Sequence, residues 1–300
     1  MIPTRILGKT ALNVTALGFG GAEIGFNEVG VEAAEKILNA ALDAGLNTID
    51  TAECYRESEV LIGQAVGHRR AEYHLFTKLG HGKNAGLDYP DWAPELLEKS
   101  IHRSLQRLRT DHVDLLQLHS CDLADLEKGD VITILEKFKK DGKTRFIGYS
   151  GDNAAALWAV NSGRFDTLQI SVNIADQAGI ATISAANRAG MGVIAKRPVA
   201  NAAWITGQKP TNSYAHGYWD RLQKLQYDFL SLPVEASVAH ALRFTLSIPG
   251  VSTAIVGTMH PERWPQNLYT VAKGNLLQTE YGAIRTRWDN VANADWVGLI

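Results

Sequence analysis

The most informative stretch for the fold is Val113-Asp114-Leu115-Leu116-Gln117-Leu118, because both of its alternating faces carry apolar side chains. A strand with one face in water alternates apolar and polar residues. A strand of a parallel sheet covered by helices is apolar on both faces. We therefore predict a buried parallel strand at this point of the chain.

Runs of the same kind recur on both sides of this stretch, and helical patterns lie between them. The predicted strands are Val14–Phe19, Thr48–Asp50, Leu75–Leu79, Val113–Leu118, Thr144–Ser150, Thr167–Val172, Gly192–Lys196 and Thr253–Val256. The helical patterns include Glu32–Ala44, Glu95–Leu108, Ile132–Asp141 and Val234–Leu246.

Eight strands that alternate with helices predict a closed (β/α)8 TIM barrel, with residues 1–300 as a single domain. An open doubly-wound sheet is the alternative. Its dinucleotide fingerprint is incomplete, because Glu23 stands where a third glycine should follow Gly18 and Gly20. Ahead of the barrel, residues 5–7 and 12–14 predict a β-hairpin that plugs the bottom of the barrel.

The connection after the seventh predicted strand is unusually long. Between Lys196 and Val234 it spans 37 residues, which include several aromatic ones. Loops of this length in compact domains are usually functional, and this one is expected over the C-terminal mouth of the barrel. Candidate walls of a substrate pocket, for which ordinary packing is an equally good interpretation, are Trp92, Trp204, Tyr218 and Trp219.

Composition excludes several classes of protein. The formal net charge is −2 and no basic block is present, so nucleic acid is not an expected partner. The apolar runs are too short to span a membrane, and the first residues lack an apolar signal core. Two cysteines make no disulfide framework, and the scattered histidines predict no metal site. We expect a reduced, cytoplasmic protein, and the sequence leaves its oligomeric state open.

Polar residues stand at the ends of three consecutive predicted strands. Asp50, Lys78 and His119 each close an apolar run, and Tyr55 lies in the loop after Asp50. In a parallel barrel these ends are neighbours at the C-terminal face. Lys78 is expected to lower the pKa of the Tyr55 phenol, and Asp50 to keep Lys78 charged. With His119 donating a hydrogen bond, this group suits protonation of a carbonyl oxygen during hydride addition, which requires a cofactor.

These residues and their spacing resemble the aldo-keto reductase family over essentially residues 4–272. The matching stretches are 50–55, 58–63, 76–78, 111–119 and 142–148. The resemblance implies a (β/α)8 barrel that binds an extended nicotinamide cofactor without a Rossmann fold. It also implies a catalytic tetrad of Asp50, Tyr55, Lys78 and His119, with Tyr55 as the general acid.

The resemblance also implies a set of cofactor-binding residues. Ser150 and Gln169 match the residues that hold the carboxamide, although Gly151 replaces the usual Asn. Lys196 and Arg197 stand where the family often has an aromatic residue and serine, and they are expected near the nicotinamide ring or the pyrophosphate. Arg263 matches a phosphate-reading Arg, which favours NADP(H) while leaving NAD(H) possible. The full set is Asp50, Ser150, Gln169, Lys196, Arg197, Gly257, Thr258, Arg263, Gln266 and Asn267.

The resulting hypothesis is an NAD(P)H-dependent oxidoreductase that interconverts a small-molecule carbonyl compound and an alcohol. Two alternatives remain open at this point. One is a Schiff-base lyase that uses Lys78 or Lys196. The other is a non-catalytic, nicotinamide-binding regulatory subunit. The sequence does not identify the substrate or the favoured direction.

Overall fold

Eight parallel strands close into a barrel in a computed structural model that describes residues 2–27 and 29–299. The barrel closes where β10 pairs in parallel with both β9 and β3. The strands are β1 Thr4–Ile6, β2 Asn13–Thr15, β3 Leu17–Gly20, β4 Thr48–Asp50, β5 His74–Leu79, β6 Val113–His119, β7 Thr144–Ser150, β8 Thr167–Ser171, β9 Gly192–Lys196 and β10 Val251–Val256. The predicted TIM barrel is confirmed.

Helices surround this barrel and cover its outer face. They are α1 Ala22–Phe26, α2 Val31–Asp43, α3 Ser58–Val66, α4 Pro94–Leu108, α5 Leu123–Lys128, α6 Asp130–Lys140, α7 Asn153–Ser162, α8 Ile180–Arg188, α9 His216–Leu225, α10 Val234–Ser247, α11 Arg263–Ala272 and α12 Gln278–Val291. The four helical patterns correspond to α2, α4, α6 and α10, within about two residues at each end, the usual uncertainty of helix boundaries. Among the described residues, none of the helices is both long and apolar enough to cross a membrane.

The buried residues of α2 illustrate why these segments are helical. They recur at the three- and four-residue spacing that aligns side chains on one helix face, which packs inward while charged residues face water. They are Ala34, Ile37, Leu38, Ala41 and Leu42. Helix α4 has Pro94 at its start and ends at Arg109 with a left-handed backbone, two common boundary signals.

The first predicted strand, Val14–Phe19, is wrong in its extent. Residues 13–15 pair antiparallel with Thr4–Ile6 as the second arm of the hairpin, and the barrel strand begins only at Leu17. The sequence did not reveal this break, because β2 and β3 follow each other closely and both contain buried side chains. The hairpin itself is confirmed, with each arm one residue away from its predicted position.

The hairpin closes the N-terminal end of the barrel. Leu7, Leu12 and Val14 are fully buried against the interior residues Leu115 and Ile194. Main-chain contact supports the same position, because the Lys9 amide donates to the Gly190 carbonyl beside the start of β9, at 2.7 Å. The C-terminal ends of the strands lie at the opposite end of the barrel from this apolar plug.

Two buried carboxylates connect β5 to the helices behind the mouth. Thr77 donates to Glu59 Oε1 at 2.7 Å, and Arg107 Nη1 lies 3.8 Å from Glu59 Oε2. Glu53 Oε1 accepts from Arg103 Nε at 2.8 Å, and Arg103 Nη2 lies 2.6 Å from the same oxygen. Burial raises the pKa of Glu59 to about 7, against the opposing hydrogen bond from Thr77 and the charge of Arg107. These contacts fix α3 and α4 behind the strand that carries Lys78.

Gly63 permits the close crossing of α3 and α4. A Cβ at this position would collide with the Arg107 carbonyl oxygen. We expect Gly63→Ala to lower the free energy of unfolding by about 1–3 kcal/mol, the range for overpacking. Gly67→Ala is the matched control, because its nearest atoms lie 3.6 Å or more from the new Cβ. Urea denaturation measures both, and equal stabilities would contradict the steric explanation.

Glu59 makes stability depend on pH in a defined direction. The folded-state pKa of about 7 lies above the ordinary 4.5, so between these values the folded chain holds a proton that the unfolded chain has released. The free energy of unfolding should therefore fall as pH rises from 4.5 to 7, by up to about 3 kcal/mol from this group. Comparison of wild type with Glu59→Gln at pH 5 and pH 8 isolates this contribution.

The exposed neighbour Glu57 provides the control for that comparison, since Glu57→Gln should retain the wild-type difference between the two pH values. Burial also raises the pKa of Asp176, to about 6. Asp176 is present in all three proteins, so its contribution cancels. An unchanged pH difference in Glu59→Gln would show that Glu59 does not titrate in this range.

Candidate active site

Three strand-end residues converge at the C-terminal face of the barrel. Asp50 ends β4, Lys78 is the penultimate residue of β5, and His119 ends β6. These strands are neighbours, and Lys78 pairs in register with Gln117 of β6. The predicted convergence of the strand ends is present in the geometry.

Lys78 and Asp50 form a buried ion pair. The distance from Lys78 Nζ to Asp50 Oδ2 is 2.6 Å, and Nζ also donates to the Thr51 carbonyl oxygen at 2.7 Å. Burial acts to lower the pKa of Lys78, but the Asp50 carboxylate reverses this effect and the pKa is raised. Lys78 is therefore a fixed positive charge at neutral pH.

Tyr55 lies against this charge. The Lys78 Nζ atom is 5.1 Å from the centroid of the Tyr55 ring, and the His119 ring meets Tyr55 edge-on at 5.5 Å. Burial raises the pKa of Tyr55 and outweighs the lowering by Lys78. The expectation of a net lowered pKa is wrong for the chain in this state. The phenol therefore keeps its proton at neutral pH.

His119 is neutral at physiological pH. Burial is the main cause of a pKa well below the usual value, and the positive charges of Lys78, Lys196 and Arg197 act in the same direction. A neutral imidazole carries one N–H and one lone pair. The Cys54 Sγ atom lies 3.3 Å from His119 Nδ1, a contact that the sequence did not suggest.

Gln117 is a site residue that sequence reasoning left without a role. Its Nε2 donates to Asp50 Oδ1 at 3.3 Å, and Gln169 Nε2 donates to the same oxygen at 2.9 Å. Asp50 thus accepts from two amides on one oxygen and from Lys78 on the other. The available signal was a glutamine inside an otherwise apolar strand, since a buried amide needs a polar partner.

Ser150 and Gln169 form a second polar pair beside the first. They are in register on β7 and β8, and Ser150 is in register with His119 on β6. Ser150 Oγ donates to Gln169 Oε1 at 2.9 Å. A side chain at Gly151 would collide with the Tyr149 hydroxyl, which donates to the Cys121 carbonyl oxygen at 2.7 Å. Tyr149 therefore accounts for the glycine in place of asparagine.

Lys196 and Arg197 follow β9 and are both engaged in contacts. Lys196 Nζ lies 2.9 Å from Asp152 Oδ2, and burial lowers the pKa of this lysine despite Asp152. Arg197 Nη1 donates to Ser171 Oγ at 2.8 Å and also to the Leu299 carbonyl oxygen. Lys196 is in register with Ser171, two residues beyond Gln169 on β8, and Arg197 directly follows it.

The remaining predicted cofactor residues follow β10, the strand that pairs with β9 and β3. Thr258 is buried, and its Oγ1 accepts from the His260 amide at 3.1 Å. Arg263 is the first residue of α11 and is exposed. Gly257 precedes Thr258, while Gln266 and Asn267 lie in the second turn of α11. This group is separate from the tetrad and makes no hydrogen bond with it among the described residues.

The aromatic residues near the mouth divide into packing and rim positions. Trp204 is buried and donates to Ser237 Oγ at 3.0 Å, and Tyr218 is fully buried, so neither is a pocket wall. Trp92 packs edge-on against His81, which faces His119. The long connection after β9 contains α9 and carries Tyr214, which is 52% exposed and stacks over Arg197 at 4.8 Å.

Neither metal ligation nor a reactive thiol is evident in residues 2–27 and 29–299. No group of three or more His, Cys, Asp or Glu side chains is placed to hold a metal ion. Burial raises the pKa of Cys54 to about 12, so its thiol keeps the proton, and Cys121 is fully buried.

Comparison with known proteins agrees with this geometry. A model of the aldo/keto reductase family matches residues 16–289. L-Galactose dehydrogenase of Arabidopsis thaliana is 28% identical, over 98% of this chain and 97% of that protein. D-threo-Aldose 1-dehydrogenase of a Pseudomonas species is 26% identical, over 85% of this chain and 89% of that protein.

A solved structure gives the same relationship. The holo form of an aldo-keto reductase from Bacillus halodurans superposes with a TM-score of 0.84 at 26% identity, covering 96% of each chain. The barrel, the family model and these relatives together assign the chain: it belongs to the aldo/keto reductase family, and the relatives named here are oxidoreductases.

Proposed function

We propose that this chain is an NAD(P)H-dependent oxidoreductase that interconverts a carbonyl compound and an alcohol, with Tyr55 as the general acid and base. The observation that carries the proposal is the position of Tyr55 between the Lys78 ammonium and the neutral His119 ring. An acid, a cation and a second hydrogen-bond donor at one point suit an oxygen that gains negative charge.

The residues at the mouth fit a nicotinamide cofactor. Ser150 and Gln169 offer the hydroxyl and amide groups that a carboxamide needs, in register with His119. Lys196 and Arg197 offer positive charge for the ring side or the pyrophosphate. Thr258, before α11, and Arg263, its first residue, offer a hydroxyl and a cation for the adenosine phosphate. Gly257, Gln266 and Asn267 complete this second group.

The protein side of the reaction follows from the contacts. Tyr55 donates its proton to the carbonyl oxygen as charge develops there, and the adjacent Lys78 ammonium stabilises the phenolate that remains. Asp50 keeps Lys78 protonated, while Gln117 and Gln169 hold Asp50 in place. His119 donates a hydrogen bond to the same oxygen and fixes its direction. A nicotinamide cofactor supplies, when bound, the hydride equivalent for the carbonyl carbon.

The contacts of Lys78 argue against a lyase that uses this residue, whereas a lyase that uses Lys196 remains an alternative. Lys78 is charged and already makes two hydrogen bonds, which suits a structural cation better than a nucleophile. Burial lowers the pKa of Lys196, as a Schiff-base lysine requires. Borohydride trapping with carbonyl substrates distinguishes the two functions, because only the lyase forms a stable adduct with the protein.

The experiment that tests the proposal is a panel of aldehydes, ketones and alcohols with NADPH, NADH and their oxidised forms. Aldoses belong in this panel, since two of the relatives are named for galactose and aldose oxidation. Change in absorbance of the reduced nicotinamide reports turnover. Cofactor binding without turnover of any compound would favour the regulatory-subunit alternative instead.

Tyr55→Phe removes the acid and keeps the ring. We expect kcat to fall by about 10²-fold or more, the usual contribution of general acid–base catalysis, with little change in cofactor affinity. Tyr281→Phe on the outer helix α12 is the control and should retain the wild-type rate. Near-normal turnover by Tyr55→Phe would remove Tyr55 from its assigned role.

Arg263→Ala tests the preference for NADP(H). Arg matches phosphate oxygens with two donors, so we expect NADPH binding to weaken by about 1.5–3 kcal/mol, the scale of a charged hydrogen bond. NADH binding should change much less, because it has no phosphate on the adenosine ribose. Lys273→Ala, at the opposite end of α11, is the control. Titration by tryptophan quenching measures both cofactors, and equal losses would reject phosphate recognition by Arg263.

A further inference from the structure

The geometry points to Cys54 as a positioning residue that holds His119 in the tautomer with its proton on Nε2. Cys54 directly precedes Tyr55 in the turn after β4, and its Sγ atom lies 3.3 Å from His119 Nδ1 at the end of β6. The contact therefore joins the turn that carries the proposed acid to the imidazole beside it. Its catalytic consequence rests on the proposed function, whereas the tautomer itself does not.

The protonation states determine which atom donates in this contact. Burial raises the pKa of the Cys54 thiol to about 12, and the partial lowering by Lys78 does not overcome this effect. The sulfur therefore carries a proton near neutral pH. Burial and the surrounding cations keep the His119 ring neutral, with one N–H and one lone pair.

Two arrangements satisfy this contact, and the chemistry of sulfur favours one of them. Nδ1–H would have to donate to a thiol sulfur, which is a weak acceptor, whereas S–H can donate to the strong lone pair of an imidazole nitrogen. In the second arrangement Nδ1 is the acceptor. The single ring proton is then on Nε2, because the hydrogen bond at one ring nitrogen determines the state of the other.

Within residues 2–27 and 29–299, the Cys54 contact is the only hydrogen bond to either ring nitrogen of His119. The cations near the ring are Lys78, Lys196 and Arg197, and all three act to keep it neutral, while His81 is a further titratable group beside it. Tyr55 and His81 meet the ring through aromatic contacts at 5.5 Å and 5.1 Å. The thiol is therefore the group that distinguishes the two neutral forms.

The tautomer determines whether the His119 ring attracts or repels the reacting oxygen. With its proton on Nε2, the ring donates a hydrogen bond to a carbonyl oxygen placed beside Tyr55. With its proton on Nδ1, the ring presents a lone pair to the lone pairs of that oxygen and repels it. Cys54 thus makes His119 a donor without touching the substrate.

Nitrogen-15 NMR of the histidine side chains tests the tautomer directly. In wild type we expect the His119 signals of an Nε2–H imidazole, assigned by their loss in His119→Gln. Cys54→Ala should shift these signals toward the Nδ1–H form, and Cys54→Ser should restore the wild-type pattern, because a hydroxyl can also donate to Nδ1. An Nδ1–H pattern in wild type, or an unchanged pattern in Cys54→Ala, would overturn the proposal.

Kinetics supplies the second readout. We expect Cys54→Ala to lower kcat/KM for carbonyl reduction by about tenfold, the scale of one hydrogen bond, and Cys54→Ser to recover most of the loss. A packing role would not distinguish the variants in this way, because Ser and Ala are both smaller than Cys. Cys121→Ala, at a buried cysteine on the far side of Tyr149, controls for thiol loss and should retain the wild-type kcat/KM.

The two proposals fail separately in these experiments. The wild-type and Cys54→Ser spectra test the tautomer even where Cys54→Ala does not fold. A chain with the expected tautomer and no turnover of any carbonyl compound would contradict the proposed function and leave the role of Cys54 in positioning the ring intact. An active reductase in which Ser and Ala at position 54 behave alike would contradict the role of Cys54 alone.

Discussion

The ion pair between Lys78 and Asp50 is the interaction on which the mouth of the barrel depends. Two charges buried to this degree are stable only when further hydrogen bonds compensate for their lost hydration. Gln117 and Gln169 supply these bonds to Asp50, and the Thr51 carbonyl supplies one to Lys78. The ion pair thereby connects β4, β5, β6 and β8. Four of the eight barrel strands are thus joined through the two charged residues that define the candidate site.

Strand geometry explains why the support behind the ion pair is also polar. Successive residues of a strand point to opposite faces, so Lys78 faces the barrel interior while Thr77 faces the helices. Thr77 meets Glu59, and Arg107 lies beside it across the crossing of α3 and α4. The position of Lys78 is thus fixed from both faces of β5. The helical layer and the site share one network of contacts.

Sequence reasoning succeeded where the information is local. Apolar runs, helical spacing and a polar residue at the end of each strand predicted the barrel and brought Asp50, Lys78 and His119 to one edge. It failed where the partner lies on another strand or element. The contact of Cys54 with His119 and the amide bonds to Asp50 join residues more than 60 positions apart. The raised pKa of Tyr55 depends on burial, which no local pattern measures. Whether residues 14–19 form one strand or parts of two depends on which strand each half pairs with.

Gly151 and Tyr149 show that two positions of this chain are not free to vary independently. The Tyr149 hydroxyl fills the space that a Cβ at position 151 would need. A change from glycine to asparagine is therefore accessible only after the tyrosine has become smaller, whereas the reverse path requires the asparagine to be lost first. The order of substitutions is constrained, and the two residues are expected to change together in descent.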